Sequence, residues 1–428
     1  LSRVLGTPDP LVRLHQLHSM WVGTMRVRAA GQPGSGAAGQ TQPETERQRT
    51  EADEISQLDL LPRGPAAPSP GLPVLDQRSR GTQFVGLSVQ SVLNTPAATH
   101  MGFWSINPYV GCEFGCMYCY ARDTHRWVME RAVEDRRSVG QGGDRVTWES
   151  GPASQTLTDL PPYRPSALPP EEAFEKEILV KSEVAEVLAR TLAPAKLAGS
   201  PLVIGTATDP YQPAERRFQL TRRILEVLRS YHGLSIEIIT KSPLVTRDLD
   251  LLQAISRNNE LSVNISLATA DPRLARRLEL RSPIPAARLR ALRRLTAAGI
   301  DAGLIIAPIV PGITDDWVGL ARLMEAAKEA GARYVIGSAL RLGPAARRRF
   351  LPFLEREFPA LYERYRRHYA TSDLASRSYQ DALTRRLNAL RQAFGFAGDE
   401  ASGRRRRRLE MAGEKSVRVP QAEQAALL

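Results

Sequence analysis

Cysteine is nearly absent: the chain holds three in 428 residues. That excludes the disulfide framework that staples small secreted domains, and it suits a reducing cytoplasm. Long hydrophobic runs are missing too. No stretch approaches the roughly 20 apolar residues that a membrane-spanning helix needs. Leu11 to Val22 contains Arg13, His15, Gln16 and His18, too polar for the core of a secretory signal. The chain starts at Leu1 rather than Met, which points to a start further upstream or to a non-standard start codon read literally. Acidic residues are in deficit, 46 against 58 Lys and Arg, for a formal charge of +12. Such a balance favours polyanionic partners, nucleic acid first. The sequence lacks, however, the interleaved aromatic and basic residues that track a single strand. Part of the excess is one run, Arg404 to Arg408, which reads as a solvated tail. With 42% hydrophobic residues, a core of ordinary size is available. The length allows about two or three domains, or one large α/β barrel with extensions.

What is present is concentrated. All three cysteines fall within Asn107 to Tyr120, as Cys112, Cys116 and Cys119, spaced C-x-x-x-C-x-x-C. Buried structural thiols have no reason to cluster this way. Three thiolates can hold three irons of a cubane iron–sulfur cluster and leave the fourth open to a small molecule. Gly111 and Gly115 let the backbone fold tightly around so bulky an object. Zinc is the competing occupant, because His125 follows Cys119 closely and could complete a Cys₃His tetrahedron. Structural zinc sites, however, usually use two ligand pairs separated by a longer loop.

Along the chain, residues 1–80 read as an unstructured, low-complexity, proline-rich extension with no periodic apolar pattern and a short amphipathic piece near Leu11 to Val22. Phe84 to Leu93 reads as a strand or hairpin arm, and Phe103 to Tyr109 as the strand that delivers the cysteine loop. Thr124 to Val133 looks helical, and Glu134 to Pro170 is a long Gly-, Pro- and Ser-rich surface loop. Glu177 to Lys181 is extended. From there, short apolar strands alternate with amphipathic helices. The strands are Pro201 to Gly205, Leu234 to Thr240, Leu261 to Leu267, Ala302 to Val310 and Tyr334 to Leu340. This alternation means a parallel sheet with crossover helices. Counting the strand before the cysteines, there are six, too few for the closed eight-stranded barrel. The barrel region is 81–345. Ala345 to Tyr369 and Tyr379 to Phe394 read as helices of a C-terminal region, 346–396, followed by a basic tail, 397–428.

In parallel α/β folds the ligand meets the C-terminal ends of the strands. The loop after Pro201 to Gly205 carries Asp209, Tyr211, Gln212 and Glu215 between prolines. Asp209 could also simply cap the next helix. The next strand ends in Thr240, Lys241 and Ser242, and a lysine there suits a carboxylate. The following strand carries Asn264, Ser266 and Thr269, which read either as ligand contacts or as turn chemistry before Asp271 and Pro272. The fifth strand ends in Ala307 and Pro308.

The segments SINPYVGCEFGCMYCYAR, GTATDPYQPAE, ITKS, VNISLAT and GLIIAPIVPGITD carry a resemblance. The cysteine spacing is similar to the signature of the radical S-adenosylmethionine (SAM) enzymes. The stretch from about Phe103 to Leu342 resembles their spore photoproduct lyase-like group, the DNA repair photolyase-like proteins. The resemblance implies a partial (β/α)₆ barrel. It implies that Cys112, Cys116 and Cys119 bind a 4Fe–4S cluster whose open iron chelates the amino and carboxylate groups of SAM. Lys241 and Ser266 match positions that contact SAM in the lyase, Asp209 lies in the loop that corresponds to the one holding the SAM amino group, and Tyr120 matches a tyrosine of the lyase and is the candidate catalytic residue. A flavodoxin- or ferredoxin-like electron donor is the implied partner. One departure bears on substrate: the lyases use a further cysteine as hydrogen donor, and this chain has none. Tyr118, Tyr120 or Tyr211 could relay a hydrogen atom instead. The expectation is a radical SAM enzyme with nucleic acid as a candidate substrate. The alternative is a zinc- or cluster-stabilised nucleic-acid-binding protein without catalysis.

Overall fold

A computed structural model describes residues 74–77, 81–99, 102–124, 168–197 and 200–396. The chain divides into two compact units, Leu1–Gly71 and Leu72–Leu428, and the described residues belong to the second. The piece near Leu11 to Val22, most of the helix expected at Thr124 to Val133 and nearly all of the loop Glu134 to Pro170 lie outside the described residues. So do His125, the Arg404 to Arg408 run and the tail 397–428.

Among the described residues the main sheet has seven strands. β3 (Leu93–Asn94) and β4 (Trp104–Ile106) pair antiparallel at one edge. From β4 the sheet grows in chain order through β7 (Leu202–Ile204), β8 (Ser235–Thr240), β9 (Glu260–Ser266), β10 (Asp301–Ile309) and β11 (Val335–Ala339). Every pairing from β4 to β11 is parallel. These are the six parallel strands of a partial (β/α)₆ barrel. They form because each is a short run rich in β-branched and apolar residues, which suit a pleated, buried surface. Alternate side chains serve the two faces. Ile236, Ile238, Val263, Ile265, Leu304 and Ile306 are all fully buried. Each such side chain removed from water contributes about 1.5–3 kcal/mol. On the other face Ile239 pairs with Asn264, and Asn264 with Gly303. There Tyr334 donates its hydroxyl to Asn264 Oδ1 at 2.9 Å. A Cβ at Gly303 would collide with the Tyr334 ring, so only glycine leaves room for it.

A second sheet orders β1 (Val74–Gln77), β2 (Gln83–Gly86), β6 (Glu177–Val180) and β5 (Tyr109–Val110). β1 thus falls inside the stretch expected to be an unstructured extension, where it pairs antiparallel with β2. The single strand expected at Phe103 to Tyr109 is two strands in two sheets, β4 and β5. Pro108 lies between them and has no N–H to donate to a ladder. The Asn107 side chain holds the crossing: its Oδ1 accepts from the Ala207 N–H at 2.8 Å, and its amide donates to Thr206 Oγ1 at 3.2 Å.

Helices are interleaved with the strands along the chain. They include α1 (Pro170–Lys176), α2 (Val184–Thr191), α3 (Leu220–Leu228), α4 (Leu249–Ser256), α5 (Pro272–Leu278), α6 (Pro285–Ala297) and α7 (Trp317–Glu329). Asp271 caps α5, its Oδ1 accepting from the Arg273 N–H at 2.8 Å, and Asp316 caps α7 through the Gly319 N–H at 2.7 Å. The C-terminal region is three helices, α8 (Pro344–Glu357), α9 (Pro359–Thr371) and α10 (Arg377–Ala393), where the sequence suggested two. The break falls at Phe358, with φ −143° and ψ 57°. A residue before proline is driven out of helical geometry, while Pro359 is well placed as the first residue of the next helix.

Candidate active site

β5 runs directly into Gly111, and the cysteine loop begins there. Gly111 has φ +96°, and a Cβ on it would lie 2.9 Å from the Phe174 carbonyl oxygen. Gly115 has φ +64°, and a Cβ would lie 2.6 Å from the Arg281 guanidinium. Both glycines are therefore required by backbone conformation and by close approach. The loop is held from three directions. From α1, Phe174 accepts the Cys112 N–H at 2.9 Å. From the loop after β7, Gln212 accepts the Glu113 N–H at 2.9 Å, and Thr208 donates its hydroxyl to the Gly111 carbonyl at 2.6 Å. From the end of α5, the Leu278 carbonyl accepts the Met117 N–H at 2.9 Å, and the Arg281 N–H donates to the Phe114 carbonyl at 3.0 Å.

Cys112, Cys116 and Cys119 are free thiols, the first two buried and the third partly so. Burial pushes the Cys116 thiol up to about 12, against the pull of Lys241. Burial and the Asp209 carboxylate hold Cys112 well above the ordinary thiol range, with smaller contributions from Cys116 and Cys119. Burial also raises Cys119, opposed by Arg122 and Lys241. The three sulfurs thus sense one another, with Lys241 acting on Cys116 and Cys119, Arg122 on Cys119 and Asp209 on Cys112. Among the described residues no three His, Cys, Asp or Glu side chains are grouped to hold a single metal ion. A cubane asks for something else, because each thiolate meets its own iron. Three soft donors on one glycine-bent loop fit such a cluster, whose positive irons would offset the cost of ionising buried thiols.

Lys241 and Ser266, at the ends of β8 and β9, are brought together: Lys241 Nζ donates to Ser266 Oγ at 3.2 Å. Ser266 in turn donates to the Ala307 carbonyl at 3.3 Å. Burial pulls the Lys241 ammonium down, but Cys116 and Glu279 outweigh it and leave the group above its ordinary value. Asp209 stands at the same rim. Its oxygens accept from the Tyr211 N–H at 2.9 Å, Thr240 Oγ1 at 2.6 Å and the Lys241 N–H at 2.7 Å. It therefore clamps the loop after β7 to the end of β8, and it does not cap the next helix. Burial nonetheless pushes its carboxyl up.

Tyr120 is 39% exposed and donates its hydroxyl to the Thr206 carbonyl. Tyr211 is fully buried, its phenol raised by burial and by the Asp248 and Glu215 carboxylates. Thr269 serves the turn into α5, accepting the Asp271 N–H at 3.1 Å. Ala307 and Pro308 lie inside β10 rather than at its end, where the register with β11 shifts between Ile306 and Ile309.

Sequence reasoning missed a buried charge cluster under the loop. Tyr118 donates its hydroxyl to Glu279, and Arg288 donates to the other oxygen of the same carboxylate. Glu279 and Arg288 are 2% and 1% exposed. Ser282 Oγ lies 3.5 Å from Cys116 Sγ. On the other flank Arg122 is fully buried, bonded to the Cys116 carbonyl at 2.7 Å and to Glu175. Glu279 and Ser282 follow a helix, not a strand, so a search of strand ends passes over them. The available signal was Glu279-Leu280-Arg281-Ser282 itself, a polar connection between two helices.

The Radical SAM superfamily matches residues 106–324, from the end of β4 into α7. The chain belongs to that superfamily. It is a radical SAM enzyme, of a class that works with a 4Fe–4S cluster and S-adenosylmethionine and draws an electron from a reductant. An uncharacterized protein of Mycobacterium tuberculosis is 31% identical over 327 residues, 75% of this chain and 85% of the relative. One of Methanocaldococcus jannaschii is 27% identical over 267 residues, 60% of this chain and 77% of that one. Among solved structures, a spore photoproduct lyase point mutant aligns with a TM-score of 0.45 at 15% identity, covering 73% of this chain and 79% of that one. Among the described residues, no helix is long and apolar enough to cross a membrane.

Proposed function

We propose that Cys112, Cys116 and Cys119 hold the 4Fe–4S cluster, and that Lys241 and Ser266 receive SAM beside it. The observation that supports this is the convergence of three free thiols and the Lys241–Ser266 pair on one rim, with Lys241 raised by Cys116. When bound, the cluster supplies the single electron that cleaves SAM. The residues of the chain do the rest. Lys241 offers a mobile ammonium to a carboxylate, and Ser266 offers a hydroxyl already oriented by the Ala307 carbonyl. Asp209 positions Lys241 through its backbone N–H. Tyr120, exposed beside Cys119, is the side chain offered to substrate. A flavodoxin- or ferredoxin-like protein fits as electron donor.

The experiment is anaerobic reconstitution with iron and sulfide, followed by assay for 5′-deoxyadenosine from SAM under a strong reductant. Product formation that is lost on changing any of the three cysteines supports the reading. A cluster-loaded protein that forms no 5′-deoxyadenosine at all, even in uncoupled turnover, overturns it.

A further inference from the structure

We infer that the C-terminal helices carry a second ligand site, built for a small aromatic phosphate of about mononucleotide size. This goes beyond the radical chemistry and does not depend on it. A cavity of about 450 Å³ lies between α9, the start of α10 and Pro311, which follows β10. That volume falls within the roughly 300–1,000 Å³ of small-molecule sites. Its walls are aromatic and fixed. Tyr365 donates its hydroxyl to the Pro311 carbonyl at 2.6 Å, Tyr369 to the Leu340 carbonyl at 3.3 Å, and Tyr379 to Asp315 Oδ2 at 3.0 Å. All three hydroxyls are committed to the protein. Tyr365 and Tyr369 are 3% and 2% exposed and stacked on each other, so they form the floor, and the ring surface left for a planar ligand is that of half-buried Tyr379.

Two arginines, Arg364 and Arg367, line the cavity beside the polar side chains of His368, Thr371 and Ser376, and among the described residues no carboxylate lines it. Arg364 and Arg367 lie one turn apart on α9, on the face that also carries His368 and Thr371. The Arg364 guanidinium makes no hydrogen bond or ion pair with the described residues, and Arg367 makes only a 3.4 Å bond to the Glu363 carbonyl. The carboxylates nearby are engaged elsewhere: Glu363 by Arg366 at 2.9 Å, and Asp315 by Tyr379 and by the Gly312 N–H at 2.8 Å. Two guanidiniums beside the half-buried Tyr379 ring match a phosphate attached to a flat ring, because arginine forks bind phosphate oxygens in pairs. The floor of the site is packed side chains. Tyr365 and Tyr369 belong to the same packed cluster as Cys112, Cys116 and Tyr118.

The test is titration calorimetry on the full-length, cluster-reconstituted chain with SAM present. The probes are uridine monophosphate, uridine, inorganic phosphate and a short single-stranded oligonucleotide. A uridine probe avoids competition for any adenosine-binding surface. Uridine monophosphate should bind one to one, at least about tenfold tighter than uridine or phosphate alone. Arg364→Ala and Arg367→Ala, both at exposed positions, should each weaken it by about tenfold. Tyr379→Phe should leave affinity within about twofold, since that hydroxyl serves Asp315, whereas Tyr379→Ala should lose the stacking wall. Inorganic phosphate binding as tightly as the nucleotide would reduce the site to an anion contact and overturn the proposal. So would nucleotide binding that survives the double arginine change, or an oligonucleotide that binds far more tightly through the same arginines.

Discussion

Lys241 and Ser266 sit at the ends of adjacent parallel strands and are joined by one hydrogen bond of 3.2 Å, from Nζ to Oγ. The bond places an ammonium where Cys116, Glu279 and the ring of Tyr118 all bear on it, the ring centroid 5.8 Å away. Lys241→Ala should therefore weaken SAM binding while leaving iron content intact. A charge-assisted bond of about 1.5–3 kcal/mol corresponds to roughly one to two orders of magnitude in affinity. Ser266→Ala should cost less, because the ammonium remains. Equilibrium dialysis against labelled SAM reads both, and unchanged binding in Lys241→Ala would remove that residue from the site.

Iron content tests the cysteine loop directly. The reconstituted protein should hold about four irons and four sulfides per chain. Alanine at Cys112, Cys116 or Cys119 should abolish the visible thiolate-to-iron absorbance. Stoichiometric zinc that resists chelation, with no sulfide, is the contrary result.

Glu279 should matter to stability before it matters to chemistry. Glu279→Gln leaves the Arg288 guanidinium buried without its counter-charge. Breaking such a pair typically costs about 3–5 kcal/mol. The urea midpoint of the metal-free protein should fall accordingly. A midpoint unchanged within error would show that the cluster of Tyr118, Glu279 and Arg288 does not brace the loop.

Gly303 and Tyr334 should be coupled. Gly303→Ala drives a Cβ into the Tyr334 ring, at a cost of about 1–3 kcal/mol for overpacking. In a Tyr334→Ala background the same change should cost much less, since the obstructing ring is gone. Additive effects in this double-mutant cycle would contradict the packing described.

A chain that begins at Leu72, where the second compact unit starts, should fold and take up iron. A chain that begins at Gly81 should be less stable, because it loses β1 and its pairing with β2. Comparing iron per chain and thermal midpoints of the two truncations separates these outcomes.

The parts of this protein legible in its sequence are those written in short windows. The six parallel strands showed as brief apolar runs, because burial on both faces leaves few polar interruptions. The cysteine loop was legible because its three donors and two glycines lie within one turn of chain. Lys241 and Ser266 were reachable because a strand end is a predictable place in a parallel fold. Other features come from partners far apart in sequence. Glu279 meets Tyr118 across 161 positions, and Glu175 meets Arg281 across 106. Neither carboxylate differs locally from a solvated one. What sets them apart is burial beside a partner that only chain closure supplies. The division of Phe103 to Tyr109 between two sheets, and the service of Asp209 as a clamp between strands, were likewise decided in three dimensions. Sheet membership depends on which neighbour offers free N–H and C=O groups, and no stretch of sequence contains its own neighbour.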